Sequence, residues 1–571
     1  MKLLAKYLKP YVLILLICVA LLFTQAFCEL TLPNLMSEMV NRGIVLGETN
    51  TIWQRGLLML GVALLGVAAA IALGFLTSRL GAKFSSRLRR DVFIKVMGFS
   101  NAQFDTFSTA SLITRTTNDV QQLQMVVTMG LRMVCFAPIM GIGGIVFALQ
   151  KSTSLAWTIA VAVIVLLGLM LCVYKLAVPR FTLLQKLTDN LNLVSRENLS
   201  GMMVVRAFSN EQYEEQRFDD VSDDLRRTNR FVMRVMSAMF PAMTLIMNFM
   251  SLSIVWLGGQ AIAQGGLLIG DMIAFTQYAM QIIMSFLMIA MMFVFLPRAA
   301  VSLRRLNEVL GAQNTVINPT NPVQVPHVRG EVAFNNVAFR YPGAQSSVIE
   351  EVSFTAKAGT TTAFIGSTGS GKSTLINLLP RFYDVTQGSI TIDGVDIRNF
   401  DLHELREMIG YVPQQGVLFQ GDIDSNVRYG KPGATTQEVS QALLTAQADQ
   451  FVESIYMEIA QGGDNVSGGQ KQRLAIARAL VKQAPIYVFD DSFSALDFKT
   501  DAALRQALNS TMGDRTVFVV AQRISTIMGA DNIVVLDQGR VVGMGTHKQL
   551  LTTCPEYLEI AESQLTKEAL A

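Results

Sequence analysis

The chain has 571 residues, of which 51% are hydrophobic and only 16% are charged, and its mean hydropathy is +0.38. Soluble proteins carry about 25% charged residues, so this composition excludes an ordinary soluble protein and indicates a membrane protein. A net charge of +3 is too small to indicate a nucleic-acid partner. The cysteines and histidines are scattered without metal-ligand spacing, which argues against a disulfide framework or a metal cluster.

The chain starts with a basic segment that leads into a long apolar run. Residues 1–9 carry lysines at intervals and predict an amphipathic helix lying on the membrane surface. Residues 11–26 are almost entirely apolar and predict the first membrane span. A basic start before an apolar run is also typical of a secretory signal peptide, but this run is long, lacks a small-residue cleavage site and is followed by further spans.

Five more apolar stretches follow, each close to the roughly 20 residues that a helix needs to cross a bilayer. They are residues 57–78, 131–149, 155–178, 240–262 and 272–296. Together with the first run they predict a six-span, multi-pass membrane domain, with the lipid bilayer as its surroundings.

The connections between the spans differ greatly in length and charge. Two long helical stretches, from Arg79 to about Gly130 and from Arg180 to Arg234, hold most of the lysines and arginines of this half. The positive-inside rule therefore places these stretches and both termini in the cytoplasm, as in a protein of the cytoplasmic membrane. Because they lack the glycine and proline of flexible loops, we expect helical levers that reach a soluble domain.

The composition changes after residue 311. We predict a transmembrane domain over residues 1–311, a proline-containing linker over 312–329 and a soluble α/β domain over 330–571. In the last of these, strand-like apolar segments alternate with helical segments, which predicts a largely parallel sheet.

A glycine-rich loop between a predicted strand and a predicted helix is the strongest motif. The segment Gly366-Ser-Thr-Gly-Ser-Gly-Lys-Ser373 fits G-x-x-x-x-G-K-[ST] and follows the apolar run 361–365. Backbone N–H groups of such a loop surround phosphates, the lysine adds a positive charge, and the final hydroxyl can ligate Mg²⁺. The predicted nucleotide-binding residues here are Gly366, Ser367, Thr368, Gly369, Ser370, Gly371, Lys372, Ser373 and Thr374.

Two further motifs follow in the same domain. Ser467-Gly-Gly-Gln470 opens a helix, and the apolar strand 486–490 ends with Asp490 placed to hold Mg²⁺. This set, in this order, resembles the nucleotide-binding domain of an ABC transporter, and six spans before one such domain resemble an exporter-type half-transporter. The resemblance covers essentially the whole chain. It implies an α-helical six-span domain joined to an α/β P-loop domain, and a transport ATPase that uses ATP and Mg²⁺.

The resemblance also assigns roles to individual residues. Tyr341 matches the aromatic residue that stacks on adenine, and Gln414 matches a glutamine that meets the Mg²⁺ held by Ser373 and Asp490. Asp497 matches the aspartate of the D-loop. The signature residues that close on the ATP of the opposite subunit match Ser467, Gly468, Gly469 and Gln470.

The sequence departs from the family pattern around the γ-phosphate. Asp491 stands where the family has the glutamate that orients the attacking water, and Gln522 stands where it has a histidine. Gln461 replaces a glutamate found in many exporters, and the segment before it is a few residues short. Neutral drift explains any one of these changes. Here both the glutamate and the histidine of one catalytic cluster are replaced, while every binding element is retained. This combination predicts a site that binds ATP and Mg²⁺ but hydrolyses ATP slowly.

These departures suggest how the protein assembles. ABC domains work as head-to-tail pairs, so an intact signature beside altered catalytic residues predicts a heterodimer with a second half-transporter that carries the competent site. In this respect the chain resembles the degenerate-site subunit of bacterial heterodimeric multidrug exporters, which implies export of amphiphilic, drug-like small molecules. A lipid flippase of the same fold and a regulatory or channel-like ABC protein remain as alternatives.

Candidate substrate contacts lie in the spans. Methionines recur at helical spacing in the fifth and sixth spans, and Met243, Met247, Met284 and Gln277 are the candidates there. Packing or lipid contact explains such a pattern equally well, whereas an adaptable binding wall is the functional alternative. Glu29 is a carboxylate inside the first predicted span and could attract cationic compounds, although its position also fits a hydrated site near the outer interface.

Overall fold

The computed structural model describes residues 2–130 and 132–565. Met1, Leu131 (where the predicted third span begins) and the last residues of the predicted soluble domain, 566–571, lie outside the described residues. The chain forms two compact units. One comprises Met1–Val96 with Ala110–Gly311, and the other comprises Met97–Thr109 with Ala312–Ala571.

The chain up to residue 311 is almost entirely helical. Its α-helices are α1 Lys2–Leu8, α2 Val12–Glu38, α3 Thr49–Met97, α4 Asn101–Thr106, α5 Thr109–Thr114, α6 Val120–Met125, α7 Ala137–Lys151, α8 Ala156–Ser200, α9 Met202–Ala207, α10 Glu211–Ala263 and α11 Ile269–Gly311. Short π-helical turns join several of them into longer runs.

The six predicted spans are confirmed in number and kind. Helical runs in the described part of the chain that are long and apolar enough to cross a membrane are Leu3–Ile44, Thr49–Met97, Thr109–Lys151, Ala156–Ser200, Glu211–Ala263 and Ile269–Ile289. Helices α3, α8 and α10 have 49, 45 and 53 residues. At about 1.5 Å per residue each far exceeds the roughly 30 Å hydrocarbon core, so the expected helical extensions exist.

The first of these extensions is interrupted. The stretch from Arg79 to Gly130 is not one continuous helix, because the chain leaves helical geometry between α3 and α4, where Ser100 is extended. Helix α4 belongs to the second compact unit.

The membrane unit packs in two groups of helices. Helix α11 lies against α2 and α7, while α8 lies along α10. In the first group the Tyr278 hydroxyl donates to the Leu30 carbonyl at 2.9 Å. A Cβ at Gly144 would lie 2.8 Å from the Ile282 side chain, so glycine permits the close approach of α7 and α11. Small residues commonly allow such approach between membrane helices.

Helix α1 is anchored to the polar end of α3. The buried Tyr7 hydroxyl donates to the Asp91 carboxylate at 2.7 Å, and its ring meets Phe84 edge-on. This contact fixes the start of the chain beside α3, a pairing that the sequence pattern alone did not indicate.

The second unit is an α/β domain. Its strands are β1 Val332–Phe339, β2 Ile349–Ala356, β3 Thr361–Gly366, β4 Gln387–Ile392, β5 Val395–Asp396, β6 Ile409–Val412, β7 Gly421–Asp422, β8 Glu458–Ile459, β9 Ile486–Asp490, β10 Thr516–Val520, β11 Asn532–Asp537 and β12 Arg540–Gly545. Its helices after α11 are α12 Lys372–Asn377, α13 Leu402–Glu407, α14 Ile423–Arg428, α15 Thr436–Thr445, α16 Gly468–Leu480, α17 Phe498–Thr511, α18 Ile524–Ile527, α19 His547–Thr553 and α20 Pro555–Gln564.

The predicted parallel sheet is confirmed. Its order is β12-β11-β3-β10-β9-β6, and all of its pairings are parallel except the β11–β12 hairpin. Every residue of β9 and β10 is buried, as expected for central strands covered on both faces. A separate antiparallel sheet, β2-β1-β4-β5, was not predicted. The parallel order places the carboxyl ends of β3, β9 and β10 side by side.

Candidate nucleotide-binding site

The glycine loop lies between β3 and α12 and depends on backbone conformations that favour glycine. Gly371 has φ +94°, and a Cβ there would lie 2.6 Å from the Ile349 side chain. A Cβ at Gly366 would collide with the Leu536 carbonyl oxygen. The loop can therefore follow this tight path next to β11 only with glycine at both positions.

The Lys372 side chain folds back over this loop. Its Nζ donates to the carbonyl oxygens of Gly366 and Ser367 at 2.9 and 2.8 Å. Burial lowers the pKa of Lys372, and the nearby Asp491 and Asp490 oppose that shift. Lys372 Nζ also donates to the Ser370 hydroxyl at 3.3 Å. A buried ammonium with neutral partners only is well placed to exchange them for phosphate oxygens.

Two of the three predicted magnesium ligands, Ser373 and Asp490, are in contact, whereas the third, Gln414, donates to Asp491. The Ser373 hydroxyl donates to a carboxylate oxygen of Asp490 at 2.8 Å. Burial raises the pKa of Asp490, and the bond from Ser373 opposes this shift. Mg²⁺ takes one or two protein oxygens and completes its shell with water and phosphate oxygens. A hydroxyl and a carboxylate side by side next to a phosphate loop fit that requirement.

Asp491 is held by amide groups. It is buried, has φ +46°, and its Oδ2 accepts from Gln522 Nε2 at 2.8 Å and from Gln414 Nε2 at 3.4 Å. Burial raises the pKa of Asp491, and hydrogen bonds from Gln414, Ser494 and Gln522 oppose the rise. The two departures found in the sequence are therefore bonded directly to each other.

The segment that carries Gln522 is fixed by the C-terminal helix α20. Gln564 Nε2 donates to the Gln522 carbonyl at 2.8 Å, while its Oε1 accepts from the Ile524 N–H at 2.8 Å. Sequence reasoning missed this role of Gln564, since a glutamine near the end of a helix carries no motif. The consequence is that the backbone on both sides of Arg523 is held in place.

Tyr341 is connected to the glycine loop. Its hydroxyl lies 3.1 Å from the Thr374 hydroxyl, and its ring meets the rings of Phe339 and Tyr383 edge-on. The ring is half-buried in this aromatic group. Such support holds a ring in one orientation, which favours stacking on a flat base.

The other two motif regions serve as helix caps in this chain. Ser467 caps α16, accepting from the Gln470 N–H at 3.3 Å, while Gln470 Oε1 accepts from the Ser467 N–H at 2.8 Å. Asp497 caps α17, accepting from the Thr500 N–H at 3.0 Å. The side chains of Ser467 and Asp497 are exposed. Among the described residues, no hydrogen bond connects either cap to the glycine loop.

The segment around α4 is part of the nucleotide unit, which the sequence did not predict. Tyr383 donates to the Asp105 carboxylate at 2.8 Å, and Gln103 Nε2 donates to the Gln313 carbonyl at 2.9 Å. These bonds attach the residues between α3 and α5 to the α/β domain. The α4 region is therefore part of the nucleotide unit, although in sequence it lies within the helical half of the chain.

The candidate substrate residues of the membrane unit fall into two groups. Met243 is buried in the helix packing and Met247 is partly buried against it, which fits a packing role. Gln277 and Met284 are exposed on α11. Glu29 is partly buried on α2 and accepts from Gln25 Nε2 at 2.9 Å.

Six spans joined to an α/β domain with this phosphate loop define a membrane transport ATPase. Residues 15–286 match the family model of the ABC transporter transmembrane region, and residues 349–494 match that of the ABC transporter. The chain therefore belongs to the ABC transporter family, and its architecture is that of an exporter half-transporter.

Relatives and a solved structure agree with this assignment. An uncharacterised ABC transporter ATP-binding protein of Mycobacterium tuberculosis is 42% identical over 568 residues, 98% of each chain. A fatty acid ABC transporter ATP-binding/permease protein of Mycobacterium bovis is 32% identical over 482 residues, 84% of this chain and 76% of that protein. The structure of a bacterial Atm1-family ABC exporter with ATP bound has a TM-score of 0.78 at 25% identity and covers 99% of each chain.

Proposed function

We propose that this chain is one half of a two-chain ATP-driven exporter and that its own ATP site binds nucleotide firmly but hydrolyses it slowly. The observation that carries the proposal is the bond of 2.8 Å between Gln522 Nε2 and Asp491 Oδ2. Around it lie the residues that we propose hold ATP and Mg²⁺. Lys372 would meet the phosphates, Ser373 and Asp490 the metal, and Tyr341 the adenine.

Slow hydrolysis follows from where the Asp491 carboxylate is and what it contacts. Phosphoryl transfer to water depends mainly on positioning and on electrostatic stabilisation. Aspartate is one methylene shorter than glutamate, and a misplacement of about 1 Å can cost on the order of 100-fold in rate. Here one carboxylate oxygen is also engaged by amide groups instead of being free to orient water. Gln522 adds no positive charge to replace that of a histidine.

Two exposed regions of this chain favour pairing with a second chain. The α16 end with Ser467 is exposed and would close on a nucleotide held by the partner. Helix α9 contains no buried residue, and the neighbouring side chains of Met203 and Phe208 are 82% and 77% exposed. Large apolar side chains at the tip of a long polar helical pair favour contact with another protein surface.

We infer that the partner is a different half-transporter, because a homodimer would have slow sites only. The test is to purify the full chain alone and together with the product of a neighbouring half-transporter gene. ATPase activity should be low for the lone chain and at least about tenfold higher for the pair, in line with the rate cost of the misplaced carboxylate. Brisk hydrolysis by the lone chain would contradict the heterodimer.

For the membrane orientation we propose the cytoplasmic membrane, with both termini on the cytoplasmic side. Lysines and arginines on the polar ends of α3 and α10 support this orientation. Labelling of a cysteine introduced near either terminus should occur in inverted vesicles and not in intact cells.

Amphiphilic small molecules are the substrates that we propose, with export of lipid-like molecules as the second candidate. The second candidate is favoured by the similarity to a protein described as a fatty acid transporter. Stimulation of the ATPase activity of the pair by drug-like amphiphiles but not by fatty acids would support the first, and the reverse result would support the second.

A further inference from the structure

A polar cluster lies between α2 and α11 inside the membrane unit. Gln25 Nε2 donates to Glu29 Oε1 at 2.9 Å, and Gln281 Nε2 donates to the Glu29 backbone carbonyl at 3.3 Å. Gln25 is only 4% exposed, and Glu29 and Gln281 are partly buried. Gln25 thus contacts the Glu29 side chain and Gln281 contacts its backbone, and we call these three residues the glutamine–glutamate cluster.

The cluster has more acceptors than donors. The Oε1 atoms of Gln25 and Gln281 are both buried without a hydrogen-bond partner. Leaving a buried acceptor unpaired is destabilising, so two unpaired amide oxygens in one cluster with a carboxylate require an explanation. The missing complement is a group that brings several N–H donors and a positive charge.

The cluster lies well before the ion-paired end of α2. Helix α2 continues to Glu38, which pairs with Arg55 at 2.9 Å, and nearby Lys151 pairs with Asp271 at 2.8 Å. These ion pairs form a polar end of the membrane unit. Glu29 is nine residues before Glu38, about 13 Å along the helix at 1.5 Å per residue. Glu29 therefore lies about two and a half helical turns before the ion-paired end of α2.

The neighbouring face of α11 is suited to a ligand and poorly suited to lipid. Gln277, Met280, Gln281 and Met284 follow at three- and four-residue spacing, and Gln277, Met280 and Met284 are exposed. Polar side chains within spans almost always face the protein interior or a water-filled cavity. Methionine provides an adaptable apolar surface for ligands of varied shape. Together these residues form an apolar wall with an acceptor-rich group at its edge.

We propose that the glutamine–glutamate cluster binds the protonated amine of an amphiphilic substrate. An ammonium group offers three N–H donors, which match Glu29 and the two orphaned oxygens of Gln25 and Gln281. The apolar part of the substrate then lies along Met280 and Met284. This inference rests on the proposed export function and specifies its substrate class, namely primary-amine amphiphiles.

The test uses a matched pair of fluorescent probes, dansylcadaverine and its N-acetylated, uncharged form. Binding of each probe to the full chain in lipid nanodiscs is measured by dansyl fluorescence without nucleotide, with empty nanodiscs subtracted. The variants are Glu29→Gln, which keeps size and removes charge, and Gln281→Leu. The control is Glu38→Gln on the same helix. The wild type should bind the amine at least tenfold more tightly than the acetylated probe.

The variants separate the possible outcomes. Glu29→Gln should abolish the preference for the amine, Gln281→Leu should weaken amine binding several-fold, and Glu38→Gln should leave the preference unchanged. Equal binding of the two probes by the wild type, absence of binding, or a preference that survives Glu29→Gln would overturn the proposal. ATP-dependent uptake of other amphiphiles by inverted vesicles containing the pair reports separately on the export function, so the two failures are distinguishable.

Discussion

Gln522 donates from Nε2 to Asp491 Oδ2 at 2.8 Å, so the two residues that depart from the family pattern are bonded to each other. The bond occupies a carboxylate oxygen that would otherwise be available to the attacking water. Gln564 holds the backbone of Gln522 and so anchors the base of this side chain beside Asp491. This arrangement supports our proposal that the site holds ATP and hydrolyses it slowly.

The contribution of Lys372 to nucleotide binding can be tested by Lys372→Ala. The variant loses the ammonium that is directed at the loop centre, so ATP affinity should fall at least tenfold. Titration of the full chain in detergent with fluorescent trinitrophenyl-ATP measures this. Lys499→Ala, on α17, serves as the matched control and should bind like the wild type. Unchanged ATP affinity in Lys372→Ala would show that the loop does not hold phosphates as we infer.

The magnesium site predicts a metal-specific defect. Asp490→Asn keeps the shape of the side chain but removes its charge, so ATP binding with Mg²⁺ should weaken at least tenfold while binding in excess EDTA changes little. The same titration with and without Mg²⁺ provides the comparison. If both conditions weakened equally, Asp490 would have a structural role and not a metal-binding one.

Tyr341 should contribute through its ring more than through its hydroxyl. Tyr341→Phe loses the bond to Thr374 but keeps the ring, so ATP affinity should change less than about twofold. Tyr341→Ala loses the stacking surface, which is worth roughly 1–3 kcal/mol for a base on an aromatic side chain, so affinity should fall at least fivefold. Equal effects of the two substitutions would argue against stacking.

The C-terminal helices should make folding stability depend on pH through His547. Its Nδ1 is 2.7 Å from the Tyr557 hydroxyl, and burial lowers the pKa of His547 below its ordinary value. The unfolded chain therefore binds a proton at a pH where the folded chain does not. Stability contributed by this site is complete above about pH 6.5, the ordinary value for histidine, and falls as the pH drops towards the lowered pKa.

The measurement is the unfolding temperature of the full chain between pH 7.5 and 5.5. His547→Gln should lose less stability over this range than the wild type, because its side chain cannot take up a proton. His403→Gln, at an exposed position, is the control and should behave like the wild type. If the unfolding temperatures of the wild type and His547→Gln depended on pH in the same way, His547 would not be the cause of the pH dependence.

Much of this architecture is readable from local sequence. Six apolar runs of bilayer length predict six spans, and a glycine loop between an apolar strand and a helix predicts a phosphate site, because both signals are short-range. Asp491 and Gln522 can be recognised as departures from the family pattern because the motif residues next to them show which family positions they occupy.

Other features depend on contacts between distant residues. The bond between Asp491 and Gln522 joins residues 31 positions apart, and the bond between Gln281 and Glu29 joins residues 252 apart. The attachment of Asp105 to Tyr383 bridges 278 positions. Periodicity cannot reveal such pairs, since it reports only which face of one element is apolar. Only the three-dimensional structure shows that residues far apart in the sequence are in contact with each other.

The central claim is that Asp491 and Gln522 together slow hydrolysis at an otherwise complete site. The most direct measurement is the steady-state ATPase rate of the purified full chain with both residues changed, Asp491→Glu with Gln522→His, beside each single variant. The double variant should hydrolyse ATP about 10- to 100-fold faster than the wild type at similar ATP affinity, with each single variant gaining less. A wild-type chain that already hydrolyses ATP briskly, with no gain in the double variant, would contradict the account.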